Sequence, residues 1–169
     1  MPESVLEQLV SAVEARLRDV PPPPDLEQRA KDAADRRRDA GLRSMEHSLR
    51  HQAPAIIAEC KKASPSAGLL RSAFDPTALA RSYASAGAAA VSVVTEADFF
   101  GGDVGWLSRV REVVDLPVIR KDFIVAERQL METAIEGADA VLLIHRILEP
   151  ERLARLMDLA ASLHLEVLL

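Results

Sequence analysis

Leu116-Pro117-Val118-Ile119-Arg120-Lys121-Asp122-Phe123 is an apolar run that ends, without a spacer, in three ionisable residues and a ring. So short an apolar stretch, without strict alternation, reads as a strand covered on both faces, the kind found in parallel sheets. Charges at its exit are costly to place without purpose. By the two-residue alternation of a strand, Arg120 and Asp122 share one face and are expected to form a structural ion pair. That leaves Lys121 free to point the other way, with the ring of Phe123 two positions on.

Working outward, Ala55–Cys60, Ala89–Val94, Ala140–Ile144 and Leu165–Leu169 are apolar in the same manner and are expected to be strands. Helical patterns lie between them at Pro76–Ala86, Asp103–Val114, Glu127–Glu136 and Glu149–Leu163. Gly87-Ala88 and Gly137-Ala138 fall just after two of these helices, where glycine is free to adopt a left-handed cap. A strand–helix rhythm of about 25 residues is the mark of βαβ units. An open doubly wound sheet and a closed barrel share it, so fold class alone leaves function open.

Residues 1–53 read differently, as an N-terminal helical extension ahead of the βα region at 54–169. Ser4 and Glu7 form a capping-box pattern before Val5, Leu6, Leu9, Val10, Val13 and Leu17, and Pro21-Pro22-Pro23-Pro24 ends that helix. A second helix, about Leu26 to Asp39, mixes Arg29, Lys31, Arg36, Arg37 and Arg38 with acids and reads as a solvated face. A short third helix covers Leu42–Arg50.

Composition narrows the function classes. The chain of 169 residues is 49% hydrophobic and 28% charged, with a formal charge of −5 of mixed sign, which argues against a nucleic-acid surface. No apolar run reaches the length of a membrane span, and no basic-then-apolar leader opens the chain, so cytoplasmic residence is expected. The one cysteine, Cys60, excludes an internal disulfide and reads as a small buried hydrophobe.

Chemistry in a βα fold belongs at the C-terminal ends of the strands, where the loops surround a common mouth. Three such ends stand out. In Glu59-Cys60-Lys61-Lys62-Ala63-Ser64-Pro65-Ser66-Ala67-Gly68, Glu59 and Lys61 share a face and are expected to point inward, where charge needs a partner or a ligand. The Ser-Pro-Gly loop after them offers hydroxyls and amides to an anion, a weak signal because the same residues make ordinary turns. Lys121 enters from the second end. At the third, Thr95-Glu96-Ala97-Asp98-Phe99-Phe100-Gly101-Gly102-Asp103, Phe99 or Phe100 is placed to cover an apolar ligand, and Asp103 to cap the next helix.

Together with Gly137-Ala138-Asp139-Ala140-Val141-Leu142-Leu143-Ile144, these motifs resemble, in order and spacing over roughly residues 50 to 145, the indole-3-glycerol phosphate synthase family. The resemblance implies an α/β fold, a (β/α)8 TIM barrel with an N-terminal helical extension. Only its N-terminal portion, about four to five βα units, is expected in a chain this short, since a barrel normally takes eight strands and about 250 residues. It implies a carboxy-lyase of tryptophan biosynthesis, which closes the indole ring of 1-(2-carboxyphenylamino)-1-deoxyribulose 5-phosphate with loss of carbon dioxide and water and uses no cofactor and no metal. Lys121 matches the general acid. Lys61 matches the lysine between substrate carboxylate and phosphate, and Glu59 the carboxylate that orients both lysines and shares in proton transfer. Ser64 matches a phosphate-side hydroxyl, and Phe99 and Phe123 the walls for the anthranilate ring. Ala63 and Ala67 depart from the basic residues usual there, and His145-Arg146 from small uncharged ones.

By the same resemblance the family's general-base glutamate follows directly after Leu169. A fragment or split enzyme is therefore expected, its partners a phosphorylated small molecule and either a C-terminal half or another copy completing the barrel. Nucleic acid and membrane are not expected partners. Two other readings stand beside this one: another phosphate-binding barrel enzyme, such as a phosphoribosylanthranilate isomerase relative, and a non-catalytic half-barrel serving as a structural or partner-binding module.

Overall fold

The computed structural model describes residues 5–169, so the Ser4 half of the expected capping box lies outside them. The chain opens with three helices: α1 (Val5–Asp19), α2 (Leu26–Ala40) and α3 (Met45–Arg50). Strand β1 (Ile57–Cys60) follows, then a small hairpin of β2 (Ala63–Ser64) and β3 (Gly68–Leu69). The alternation then runs α4 (Pro76–Ser85), β4 (Ala90–Val94), α5 (Trp106–Arg111), β5 (Val118–Lys121), α6 (Glu127–Ile135), β6 (Ala140–Leu142), a 3-10 turn (His145–Ile147), α7 (Pro150–Ser162) and β7 (Glu166–Leu168).

Five strands form one parallel sheet in the order β1-β4-β5-β6-β7, and β2 pairs with β3 antiparallel beside it. The expectation of a partial barrel of about four to five βα units is thereby corrected. The described residues hold seven strands and seven α-helices, mostly parallel in pairing and consistent with a (β/α)8 barrel. An apolar-run reading passes over β2 and β3 because Ala63-Ser64 and Gly68-Leu69 are too short to show a period, and their hydrogen bonding depends on the turn rather than on burial.

The pleat divides the side chains between two environments. Registers Glu59↔Ser92, Ser92↔Ile119 and Ile119↔Ala140 put these residues on one face, with Val94 and Lys121 two positions further along. Towards the N-terminal ends of the strands this face is filled by α3, whose Met45 packs with Ala90, Ile119 and Ala140, supported by Leu49 and Ile57. The opposite face carries Cys60, Val91, Val93 and Val118 against α4 and α5, and Val141 against α2, α6 and α7. No described helix is long and apolar enough to cross a membrane.

Helix ends explain where elements begin. Asp75 Oδ1 accepts the backbone N–H groups of Thr77 (2.9 Å) and Ala78 (3.3 Å) while Pro76 occupies the first turn, a cap worth about 1 kcal/mol. Helix α5 is shorter than the expected Asp103–Val114, because the Asp103 carboxylate accepts from Gly105 N (2.7 Å) in a turn ahead of the helix. Gly87 and Gly137 adopt φ of +84° and +77°, the left-handed turn expected before β4 and β6.

Helix α2 is not wholly a solvated face. Its Ala30 and Ala34 join the core, and Arg37, 8% exposed, donates to the carbonyls of Leu163 (3.4 Å) and His164 (3.0 Å) beyond α7. Cys60 is fully buried, and that burial, with the Glu59 charge beside it, pushes its thiol up to about 12.

Candidate functional site

Glu59 and Lys121 stand on strands that do not touch, β1 and β5, with β4 between them. Their side chains nevertheless meet: Lys121 Nζ lies 3.2 Å from Glu59 Oε2, and Lys61 Nζ lies 3.0 Å from Glu59 Oε1. On β4, Val94 is the register partner of Lys121 and small Ser92 that of Glu59, so the lysine chain reaches back past Val94 to the carboxylate above Ser92. One carboxylate thus receives two ammonium groups, one on each oxygen. Burial pushes the Glu59 carboxyl up, but the hydrogen bond from Lys61 and the charge and hydrogen bond of Lys121 outweigh it, and the group sits below its ordinary value. Both ammonium groups remain partly open, with side chains 34% and 42% exposed, and each retains donors beyond the one given to Glu59.

Beside Lys121 lies a cavity of about 210 Å³, lined by Val94, Glu96, Phe100, Lys121, Phe123 and Leu142 among others. The rings of Phe100 and Phe123 are 6.4 Å apart and tilted by 45°. The site therefore pairs an ionic corner with a slot walled largely by apolar and aromatic side chains. Phe99 stands outside that slot and is 37% exposed, while its neighbour Phe100 takes the inward position. Ser64 lies on the β2–β3 hairpin, where its hydroxyl accepts from Ala67 N at 3.2 Å. Of the expected site residues, contacts or a shared cavity unite Glu59, Lys61, Lys121 and Phe123.

The other side of β5 carries the expected ion pair. Arg120 Nη2 lies 2.9 Å from Asp122 Oδ2, with the two side chains 4% and 1% exposed. Thr95 donates to Asp122 Oδ2 (2.6 Å), and Arg120 Nη1 donates to Gln129 O (2.7 Å) and Thr133 Oγ1 (3.1 Å). Gln129 closes the network: its Oε1 accepts from Val125 N and Ala126 N, and its Nε2 donates to Phe123 O at 2.9 Å. Phe123 is thus held from behind by hydrogen bonds that anchor its backbone.

Glu96 is a residue whose role sequence reasoning missed. Buried at 1% exposure, its carboxylate accepts the backbone N–H groups of Asp98 (2.9 Å), Phe99 (2.8 Å) and Phe100 (3.1 Å). Gly102 N then donates to Glu96 O at 2.7 Å. An acid followed by three residues whose amides have no strand to join was the only available signal. Among the described residues no group of three or more His, Cys, Asp or Glu side chains is arranged to hold a metal ion.

A family model described as indole-3-glycerol phosphate synthase matches residues 3–169. Proteins of that name are similar in sequence: one from Desulfotalea psychrophila is 55% identical over 105 residues, 62% of this chain and 40% of the relative. One from Rhodopirellula baltica is 50% identical over 114 residues (68% and 44%), and one from Burkholderia multivorans 48% over 136 (80% and 51%). The chain spans about half the length of the curated relatives it matches. The family match also corrects the expectation that the likeness stops at an N-terminal portion of the barrel: it takes in the first helices and the last strand alike.

Proposed function

This chain belongs to the indole-3-glycerol phosphate synthase family, and from that premise we propose that its site closes an indole ring on a phosphorylated arylamino ketose, with loss of carbon dioxide and water. The observation that carries the reading is the double engagement of Glu59 by Lys61 and Lys121 next to a ring-lined slot.

As the aryl carbon attacks the ketone, the ketone oxygen gathers negative charge. An ammonium group set against it is the natural proton donor, and Lys121, at the edge of the slot, takes this role. Lys61 neutralises the substrate's carboxylate and phosphate from the start of the first loop. Glu59 holds both ammonium groups at one corner, stays ionised, and passes protons between ring closure and dehydration. Phe123 and Phe100 hold the aryl ring over the ketone, with Phe99 covering it from outside, so that binding energy is spent on orientation. Ser64, whose oxygen accepts within its turn, keeps its hydroxyl hydrogen for a phosphate oxygen.

The reading includes a cytoplasmic setting and a partner polypeptide, either a C-terminal half or a second copy, pairing with the sheet's outer strands β1 and β7. The test is an assay of the purified chain with the anthranilate-derived ketose phosphate, alone and with the separately expressed remainder of a relative's barrel, following indole absorbance and released carbon dioxide. Product in either arm is the expected result. No product in both arms overturns the proposal.

A further inference from the structure

Helix α1 lies against the loop that carries Phe99 and Phe100. Arg16 Nη1 is 3.5 Å from Glu96 Oε1 and 2.5 Å from Asp98 Oδ2, so a cation from the N-terminal extension bridges the buried carboxylate and the first residue of the turn that it organises. Glu96 is the anchor of that turn: three consecutive amides point at its two oxygens, and the third belongs to Phe100, the ring that lines the slot. The helix is also anchored at its C-terminal end, where Arg128 of α6 donates to the carbonyls of Val20 and of Leu17 (3.5 Å). Arg16, Leu17, Val20, Ala97 and Gly102 line a common cavity of about 350 Å³ beneath the loop.

We infer that Arg16 is a positioning residue for ring binding: by bridging Glu96 and Asp98 it orders the turn that presents Phe100 to Phe123, and so couples the N-terminal extension to the width of the slot. The inference rests on the proposed function for its kinetic consequence, but its structural half stands without it. Arg16 touches neither the slot nor the lysines; it acts through the loop. A carboxylate already collecting three amides, with a guanidinium opposite, is a closed local network whose parts hold one another in place. Without the cation, Asp98 and Glu96 face one another as like charges two residues apart, and the turn loosens.

Arg16→Met and Arg16→Lys test this, each checked for native circular dichroism. Hydrogen exchange of the Asp98, Phe99 and Phe100 amides is expected to quicken at least about tenfold in Arg16→Met and to stay near wild type in Arg16→Lys. In turnover of the arylamino ketose phosphate, KM is expected to rise about tenfold in Arg16→Met while kcat moves less than about threefold, with most of the loss recovered by lysine. Unchanged exchange at these amides overturns the inference, and so does a fall in kcat with KM unmoved. A wild-type chain that turns over no substrate counts against the functional reading instead, and exchange at the amides alone then decides the coupling.

Discussion

Two ionic clusters share strand β5, and they are built on opposite principles. On the outer face, Arg120 and Asp122 are almost fully buried, and hydrogen bonds from or to Thr95, Gln129 and Thr133 occupy their remaining valences. On the inner face, Lys121 is 42% exposed, makes one ion pair, and faces a cavity. The first arrangement is saturated and therefore structural; the second holds donors in reserve and is therefore fit to receive a ligand. Consecutive residues differ this much because the strand sends alternate side chains to different environments.

The sharpest way to break this comparison is to truncate each cluster in turn. Lys121→Ala should lower kcat/KM for the arylamino ketose phosphate by about 10²–10⁴-fold, the usual worth of a general acid, with the melting temperature nearly unchanged. A variant of normal activity would remove Lys121 from the proton-transfer role. Asp122→Ala should do the reverse in kind, costing about 1–3 kcal/mol of folding stability in urea titration, since the buried Arg120 guanidinium loses its close acidic partner and keeps only Glu132, at 3.8 Å. A loss below about 1 kcal/mol would show that the outer cluster is not the structural one.

Gly102 sharpens the contrast at the loop. A Cβ there would sit 2.5 Å from the Thr95 carbonyl carbon and 2.6 Å from Glu96 O, both backbone atoms. Gly102→Ala should cost about 1–3 kcal/mol and disturb Phe100 more than Lys121, which a wider KM than kcat effect would register. The smallest effect concerns acid. Since the folded-state value of Glu59 is depressed, its contribution to stability is present above the ordinary glutamate range and is lost as pH falls through the lower, folded value. Glu59→Gln should flatten that acid limb slightly; an unchanged limb would mean that the lysines do not hold the carboxylate charged.

Much of this was legible in the residues. The apolar runs that became β1 and β4 to β7 announced themselves because both their faces are covered, and the Arg120–Asp122 pair followed from alternation alone. The convergence of Glu59, Lys61 and Lys121 was expected from motif order, and it is met across β4, whose Ser92 and Val94 are the register partners of Glu59 and Lys121. Loops were less legible, for a physical reason: they have no period. Between adjacent Phe99 and Phe100 nothing in the sequence says which turns inward, and the answer depends on amides gathered by Glu96. The hairpin of β2 and β3 offered only exposed Leu69 and Leu70, too short a run to read as a strand, and the buried fraction of charged α2 was masked by the acids around Arg37.

That Lys121 and its carboxylate partner Glu59 sit on β5 and β1, with β4 wedged between, makes their ion pair a gauge of sheet assembly. Adjacent strands are about 4.8 Å apart, so the two groups span roughly twice that spacing, and only long side chains crossing a correctly placed neighbour close the gap. A one-residue slip of β4 would turn Ser92 to the other face and put a valine opposite Glu59. Recovery of turnover after dilution from denaturant would then time the insertion of that middle strand, separately from the earlier collapse that a bulk optical signal records.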